Sequence, residues 1–445
     1  MKLKDIHSIY FIGIGGIGMS ALARYFNAQG FKVAGYDKVA SDITRSLVEE
    51  GIKIWYDMSS DFIPNEFRNR EETLVVYTPA VPNSHEVLQF FKSEEFRVLK
   101  RSEMLGLITK DTFCLAVAGT HGKTTTSTIL GHILEYSGVG ATSFLGGISE
   151  NYHSNLILGN EPVSVVEADE FDRSFLRLDP NIACITSIDA DHLDIYGESS
   201  ELEQSFKDFG AKVTDILFVR KGLPIEGVTF AVEEKADYYA DNITVKDGVY
   251  VFDIITPKEI ITDVNFYLPG KHNVLNAVAA LAMANTYGVP LQVIAEALRS
   301  FKGVERRFSY KIKRDDLVLI DDYAHHPTEI DAVANAVSEM YSEKRTLAVF
   351  QPHLYSRTRD FVDDFARSLA QFDEIILLDV YPARELPIPN VNSKWLLDKI
   401  KHPKKKLSSK EELLINIQQC DAQVVVVMGA GDIGLLVENI QISLQ

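Results

Sequence analysis

Cysteine is scarce in this chain. Cys114, Cys184 and Cys420 are the only three in 445 residues, they stand far apart, and no CxxC spacing occurs. That excludes a disulfide framework and points to buried free thiols in a reducing cytosol. Long apolar runs are missing too: none reaches the roughly 18 residues that would span a bilayer. The opening MKLKDIHSIYFIGIGG lacks the cationic-then-apolar layout of a secretion signal. A cytoplasmic protein without a membrane partner is expected. Positive charge is in deficit, with 45 Lys and Arg against 63 Asp and Glu and a net charge of −18. Such a balance argues against a nucleic-acid backbone or an anionic membrane as partner. An anionic substrate must then be captured by local basic groups. There is no internal repeat and no low-complexity tract. What is present is a hydrophobic fraction of 46% and a mean hydropathy close to zero, enough for a folded, soluble core. The length suggests about three domains of roughly 150 residues each.

Strand-like and helix-like phrases alternate nearly throughout, which implies α/β architecture with parallel sheets flanked by helices. Strands are expected at Ser8 to Ile14, Lys32 to Tyr36, Thr73 to Tyr77, Phe113 to Ala118 and Val163 to Val166. A helix is expected from His272 to Tyr287, and the stretch from about Asp215 to Val264 is rich in short strands. From Arg306 onward, LVLIDDYAHHP, TLAVFQPH, EIILLDVYP and VVVVMGAGDIG are strand-then-turn phrases spaced by helices.

The phrase VAGTHGKTTT carries the most chemistry. It follows an apolar strand and opens a helix expected from Thr124 through Tyr136, where a phosphate cradle has to sit. Backbone N–H groups of Gly119, Thr120, His121 and Gly122 are expected to aim into the loop, beside the positive end of the helix that Thr124 and Thr125 begin. Lys123 reaches toward the β- and γ-phosphates and the Thr124 hydroxyl toward Mg²⁺. Only Thr120 and His121 separate the two glycines, so this is a shortened variant of the ATP loop.

A second glycine phrase, with Gly13, Gly15, Gly16 and Gly18, directly follows the first strand, and Asp37 ends the next one. This is the dinucleotide fingerprint in its proper context, and it suits any pyrophosphate. Gly429, Gly431 and Gly434 form a third such phrase, either a ligand contact or a plain strand-to-helix turn. Among the acids of VEADEFD, Glu167 is the favoured magnesium ligand, because a carboxylate at a strand end beside the phosphate loop offers the hard oxygen that ion prefers. His192, in DADHLD at the end of the next strand, would bind a second Mg²⁺ or position a phosphate.

Together GIGGIGMSALA, GTHGKTTT, VEADEFDRSFL, SIDADHLDIYG, LPGKHNVLNAVAA, DDYAHHPTEI and FQPHLYSRTRDF resemble the Mur ligases of peptidoglycan synthesis, in order and over nearly the whole chain. The resemblance implies three domains: a Rossmann-like one for a UDP-sugar over residues 1–106, a central ATPase one over 107–304, and a Rossmann-like one for the amino acid over 305–445. It places the UDP pyrophosphate on Gly13 to Gly18 and the adenine side on His272, Asn273 and Asn276. Asp322 would anchor the nucleotide. His325, His353 and Arg357 would line the amino-acid and phosphate pocket, with Arg307 nearby. Lys123 would bind the ATP phosphates, Thr124 and Glu167 one Mg²⁺, and His192 the other.

The chain departs from the family where Leu354 replaces the usual Arg and where TPA at Thr78 to Ala80 replaces SSA. No residue is assigned as the carbamylated lysine that several members use, Lys207 included.

The implied reaction is ATP-dependent ligation of L-alanine to UDP-N-acetylmuramate. A carboxylate is a poor electrophile, so ATP phosphorylates it first and a free amine then attacks the acyl phosphate. The acyl phosphate must be kept from water, so the third domain is expected to close over the others. His325 or His353 would take the ammonium proton, or else serve only the turn they occupy. Three other readings stand beside this one. They are a sister ligase adding a preformed tripeptide, an NAD-dependent dehydrogenase resting on GxGxxG and Asp37, and a nucleotide-binding regulator without catalysis.

Overall fold

The computed structural model describes residues 6–189, 199–383 and 385–445. By internal contacts these form two compact units. The first comprises residues up to 241 with 254–261 and 276–300, and the second 242–253, 262–275 and 301–445.

The first sheet runs β1 (Ser8–Ile12), β2 (Lys32–Tyr36), β3 (Lys53–Trp55), β4 (Thr73–Tyr77) and β5 (Arg97–Lys100), in the spatial order β3-β2-β1-β4-β5. All its pairings are parallel. The unbroken apolar run of β1 is buried at every residue, as a central parallel strand covered on both faces requires. Tyr10 packs edge-on to Phe67 at 5.6 Å and against Phe91 at 5.2 Å on one face. The strand stops at Ile12, two residues earlier than expected, because Gly13 turns the chain at φ 86°. A Cβ there would lie 2.5 Å from the Thr78 side chain, so only glycine fits.

The second sheet consists of β6 (Phe113–Ala118), β7 (Thr142–Ser149), β8 (Ser154–Ile157), β9 (Val163–Ala168), β10 (Ile182–Ile185), β11 (Ile216–Arg220), β12 (Val228–Val232), β13 (Tyr238–Lys246), β14 (Val249–Ile255) and β15 (Ile260–Phe266). Their order is β15-β14-β13-β12-β11-β10-β6-β9-β7-β8. From β7 to β13 the pairing is parallel, and β8 adds antiparallel to β7. Chain order reverses at β6, which lies between β9 and β10, so their carboxyl ends open a crevice where the phosphate loop emerges.

One apolar core joins both sheets of the first unit. Phe11, Leu22 and Phe26 share a cluster with Phe144, Leu156 and Val166, and Tyr25 meets Phe144 at 5.3 Å. Truncating Phe144 to Ala would cost about 3–5 kcal/mol by the usual cavity penalty. A polar rivet reinforces the joint: buried Asn155 donates to the Ile17 carbonyl at 2.5 Å and to Ser20 Oγ at 2.9 Å. Asn155 also accepts from Arg24, which itself pairs with Glu50 at 2.8 Å.

The second unit carries β16 (Ser309–Lys313), β17 (Val318–Asp322), β18 (Thr346–Phe350), β19 (Glu374–Leu377), β20 (Lys405–Leu407) and β21 (Val424–Met428). Their order is β16-β17-β21-β18-β19-β20, parallel apart from β16. Leu319, Val349, Ile376 and Val427 form its core. Among the described residues no helix is long and apolar enough to cross a membrane.

Candidate active site

In the first unit the phosphate loop leaves β6 and enters the helix Lys123–Tyr136, which starts one residue before the expected point. Gly122 precedes it at φ 85°. A Cβ on Gly122 would stand 2.5 Å from Oδ1 of the buried Asn276. The loop amides do not all face inward as expected. Thr120 N donates to the Ser187 carbonyl at 3.1 Å and His121 N to Ser187 Oγ at 2.8 Å. The shortened loop is thereby braced on the segment after β10, and His121 Nε2 lies 3.4 Å from Asp189 in the same segment. Thr125 is buried in the first turn of the helix.

Lys123 folds back over this loop. Its Nζ donates to the Gly119 carbonyl at 2.6 Å, to Thr120 O at 3.3 Å and to both oxygens of Glu170 at 3.0 and 2.8 Å. Burial pulls the ammonium pKa down, but the carboxylates of Glu170, Asp169 and Glu167 more than offset it, so it lies above the ordinary lysine value. Thr124 Oγ1 donates to the Glu167 carboxylate at 3.0 and 3.2 Å. β9 extends through Ala168, so Glu167 is part of the strand. A Cβ on Gly146 would come within 1.9 Å of Glu167 Oε2, so glycine there makes room for the carboxylate.

These converging hard oxygens fit Mg²⁺, which takes one or two protein oxygens and completes its shell with phosphate and water. Among the described residues no group of three or more His, Cys, Asp or Glu gathers as a metal site. His192 lies outside the described residues.

A cavity of about 250 Å³ connects this chemistry to the N-terminal glycine turn, its walls including Gly16, Gly18, Thr78, Arg101, Glu167 and Asp169. Among the described residues of that lining Arg101 is the only cation, and it pairs with Asp169 at 3.6 Å. Its guanidinium would lie 2.9 Å from a Cβ on Gly18. Asp37 shapes the glycine turn by accepting Gly15 N at 2.7 Å. Arg101, Gly146, Asp169 and Glu170 were not singled out from the sequence. The run EADE held two of them in plain view, but charge alone does not say which carboxylate faces which cation.

In the second unit the other candidates gather around Glu329, in the first turn of the helix Pro327–Met340. Its Oε2 accepts the backbone N–H of His325 at 2.9 Å and of His326 at 3.2 Å, as a capping box does. His325 Nδ1 lies 3.3 Å from that carboxylate and Arg307 Nη1 lies 3.9 Å from its other oxygen. His325 Nδ1 also stands 2.9 Å from the Tyr323 carbonyl. A carbonyl only accepts, so the proton sits on Nδ1 and Nε2 keeps its lone pair. Burial drives His325 down to about 4 against the pull of Glu329, with Arg357 adding to the fall. Burial likewise takes His272 down to about 4, and raises Asp322 to about 6 despite Arg307.

The Asp322 oxygens accept Phe308 N and Ala324 N, both at 2.7 Å, and Asn273 donates to the Pro269 carbonyl at 2.6 Å. His353 stacks on Tyr381 with centroids 5.7 Å apart and meets the His325 ring at 5.9 Å. Leu354 adopts φ 71° ahead of the helix Tyr355–Asp360. Within that helix Arg357 is buried, whereas Arg359 pairs with Asp360 at 2.7 Å and is half exposed. Of these two arginines it is Arg357, together with Arg307, whose charge acts on His325. The third glycine phrase is a packing turn. A Cβ on Gly431 would lie 2.4 Å from Gln351 Oε1, and one on Gly434 would lie 2.6 Å from the Arg306 guanidinium carbon.

Residues 8–112 match the Mur ligase family catalytic domain, 117–284 the Mur ligase middle domain, and 306–431 the Mur ligase glutamate ligase domain. The chain belongs to the Mur ligase family. It is 59% identical over 443 residues to the UDP-N-acetylmuramate–L-alanine ligase of Flavobacterium psychrophilum, covering 99% of each chain. It is 58% identical to the ligase of that name from Flavobacterium johnsoniae, covering 99% of this chain and 98% of the relative. Its fold matches the crystal structure of UDP-N-acetylmuramate-alanine ligase MurC from Thermotoga maritima with a TM-score of 0.84 and 29% identity, over 97% of this chain and 98% of that one.

Proposed function

We propose that this chain joins L-alanine to UDP-N-acetylmuramate with conversion of ATP to ADP and phosphate. The observation that carries the reading is the continuity, inside one unit, of the glycine turn, Arg101, Glu167 and the phosphate loop. A substrate with a pyrophosphate at one end and a carboxylate at the other fits such a path. The relatives named for this reaction match over almost the full length, which favours it over the tripeptide ligase and the dehydrogenase.

In the proposed division of labour, residues 1–106 hold the sugar nucleotide, 107–304 the ATP, and 305–445 the amino acid. Gly13, Gly15, Gly16 and Gly18 let the pyrophosphate approach the backbone, with Asp37 fixing their turn. Gly119 to Thr125 form the ATP loop, with the Thr120 and His121 amides bracing it on Ser187 and the remaining amides open to the phosphates, and Asn276 backs Gly122. Thr124 and Glu167 would hold Mg²⁺, which when bound neutralises phosphate oxygens; His192 is the proposed ligand of a second ion.

Lys123 stabilises the charge that develops as the terminal phosphoryl passes to the muramate carboxylate. The acyl phosphate then meets the free amine of alanine, and the tetrahedral intermediate collapses to amide and phosphate. His325 Nε2, an unprotonated base at neutral pH, takes a proton from the alanine ammonium. Arg357 faces the alanine carboxylate or the departing phosphate, with His353 beside it. His272, Asn273, Arg307 and Asp322 are proposed to serve the nucleotide.

The test is phosphate release with UDP-N-acetylmuramate and each amine in turn. L-alanine should give the fastest release. Preferential use of L-alanyl-γ-D-glutamyl-diaminopimelate would replace this reading by the tripeptide ligase.

A further inference from the structure

Three acids within four residues each have a different partner. Glu167 takes the Thr124 hydroxyl, Asp169 faces Arg101, and Glu170 holds Lys123 with both oxygens. The third pairing is the unusual one. The Glu170 side chain is 0% exposed and that of Lys123 only 12%, so the carboxylate has given up water and takes the lysine ammonium on both oxygens. Removing a carboxylate from water costs several kcal/mol, which is recovered only by close opposite charge and good hydrogen bonds.

An ammonium has three protons to donate. Here they serve Gly119 O, Thr120 O and Glu170. A phosphate oxygen reaching Lys123 must take over one of these bonds. The two carbonyls belong to the same loop as the lysine and move with it. Glu170 arrives from the segment after β9, so it is the partner that can be exchanged.

We propose that Glu170 is a resident counter-ion that holds Lys123 until nucleotide phosphate displaces it, and thereby weakens nucleotide binding and speeds ADP departure. The proposal rests on the reading of this loop as the ATP site. Glu170 is a positioning residue here: it acts on phosphate through Lys123. In the empty enzyme it keeps the lysine charged and folded over the loop. In the loaded enzyme its negative charge opposes the phosphates across that lysine, so the nucleotide is held less tightly than the loop alone would hold it.

The experiment measures calorimetric affinity for Mg²⁺ with ADP, and with a non-hydrolysable ATP analogue, in wild type, Glu170→Gln, Lys123→Met and the double variant. Removing one nearby negative charge should tighten both ligands roughly tenfold in Glu170→Gln. Its KM for ATP and its kcat should fall together as ADP leaves more slowly; a purely structural role would weaken binding and leave no such pattern. Glu170→Gln removes the hydrogen-bonded counter-ion of Lys123 and is at risk of misfolding, so the double variant, which removes both charges of the pair, provides the second arm. Lys123→Met should bind far more weakly than wild type, because the charge of Glu170 then opposes the phosphate with no lysine ammonium between them. Adding Glu170→Gln should restore roughly tenfold. A double variant no tighter than Lys123→Met would overturn the proposal while leaving the loop assignment standing. Unchanged affinity in Lys123→Met would overturn the loop assignment, and the proposal with it.

Discussion

The two clusters of candidate residues are both largely withdrawn from water, yet the basic group of one stays charged and those of the other are neutral. In the first unit, Lys123 is buried and stays an ammonium, since Glu170, Asp169 and Glu167 together outweigh desolvation. In the second, His272 and His325 are buried and become neutral, because Glu329 alone does not offset burial while Arg307 opposes it. Burial therefore does not fix a protonation state; the sign and number of neighbours do. The difference suits the chemistry each cluster faces. A phosphoryl group in flight needs a permanent cation, and an ammonium that must lose its proton needs a neutral base.

The largest expected effect comes from removing the cation. Lys123→Met should cut phosphate release by about 10²–10³-fold, the scale of a lost transition-state charge partner, and should lower the melting temperature because the buried Glu170 loses its ammonium partner. Near-normal turnover would erase the contrast between the clusters. Next, Glu329→Ala removes the cap of the His325–His326 turn and should reduce turnover by about tenfold or more through misorientation of His325. Glu329→Gln keeps an acceptor for those amides and should recover part of the rate, as steady-state assays of the pair would show.

A smaller effect is expected from pH. The folded-state values of His272 and His325, about 4, lie below the ordinary histidine value. Their contribution to stability is thus fully present above about 6.5 and is lost as pH falls through about 4. Asp322, raised to about 6, works the other way: it disfavours folding above about 6 and this penalty is relieved as pH falls toward its unfolded value. With two histidines against one aspartate, stability should decline between pH 6.5 and 4. His325→Asn should flatten that decline in thermal melts, and the acid limb of kcat should lie well below 6.5. On the substrate side, replacing L-alanine by glycine deletes one methyl and should cost about 1–3 kcal/mol in kcat/KM, measurable by competition.

The amino-acid sequence alone was enough for the elements and for the loop. Strands such as Lys32–Tyr36 and Phe113–Ala118 lie where periodicity put them, since a continuous apolar run between turn residues has few other uses. GTHGKTTT offered a candidate phosphate site because glycines, a lysine and a threonine that are neighbours in the chain can cradle one ion. Pairings between distant segments were not legible. No local pattern says that β21 inserts between β17 and β18, or that the Thr120 and His121 amides are used on Ser187. Nor does EADE say which acid meets Thr124, Arg101 or Lys123, because that depends on where three separate strands end. Propensity and spacing act over a few residues and are written in the chain. Desolvation and charge pairing act across space, so which groups stay charged was decided only by the folded structure.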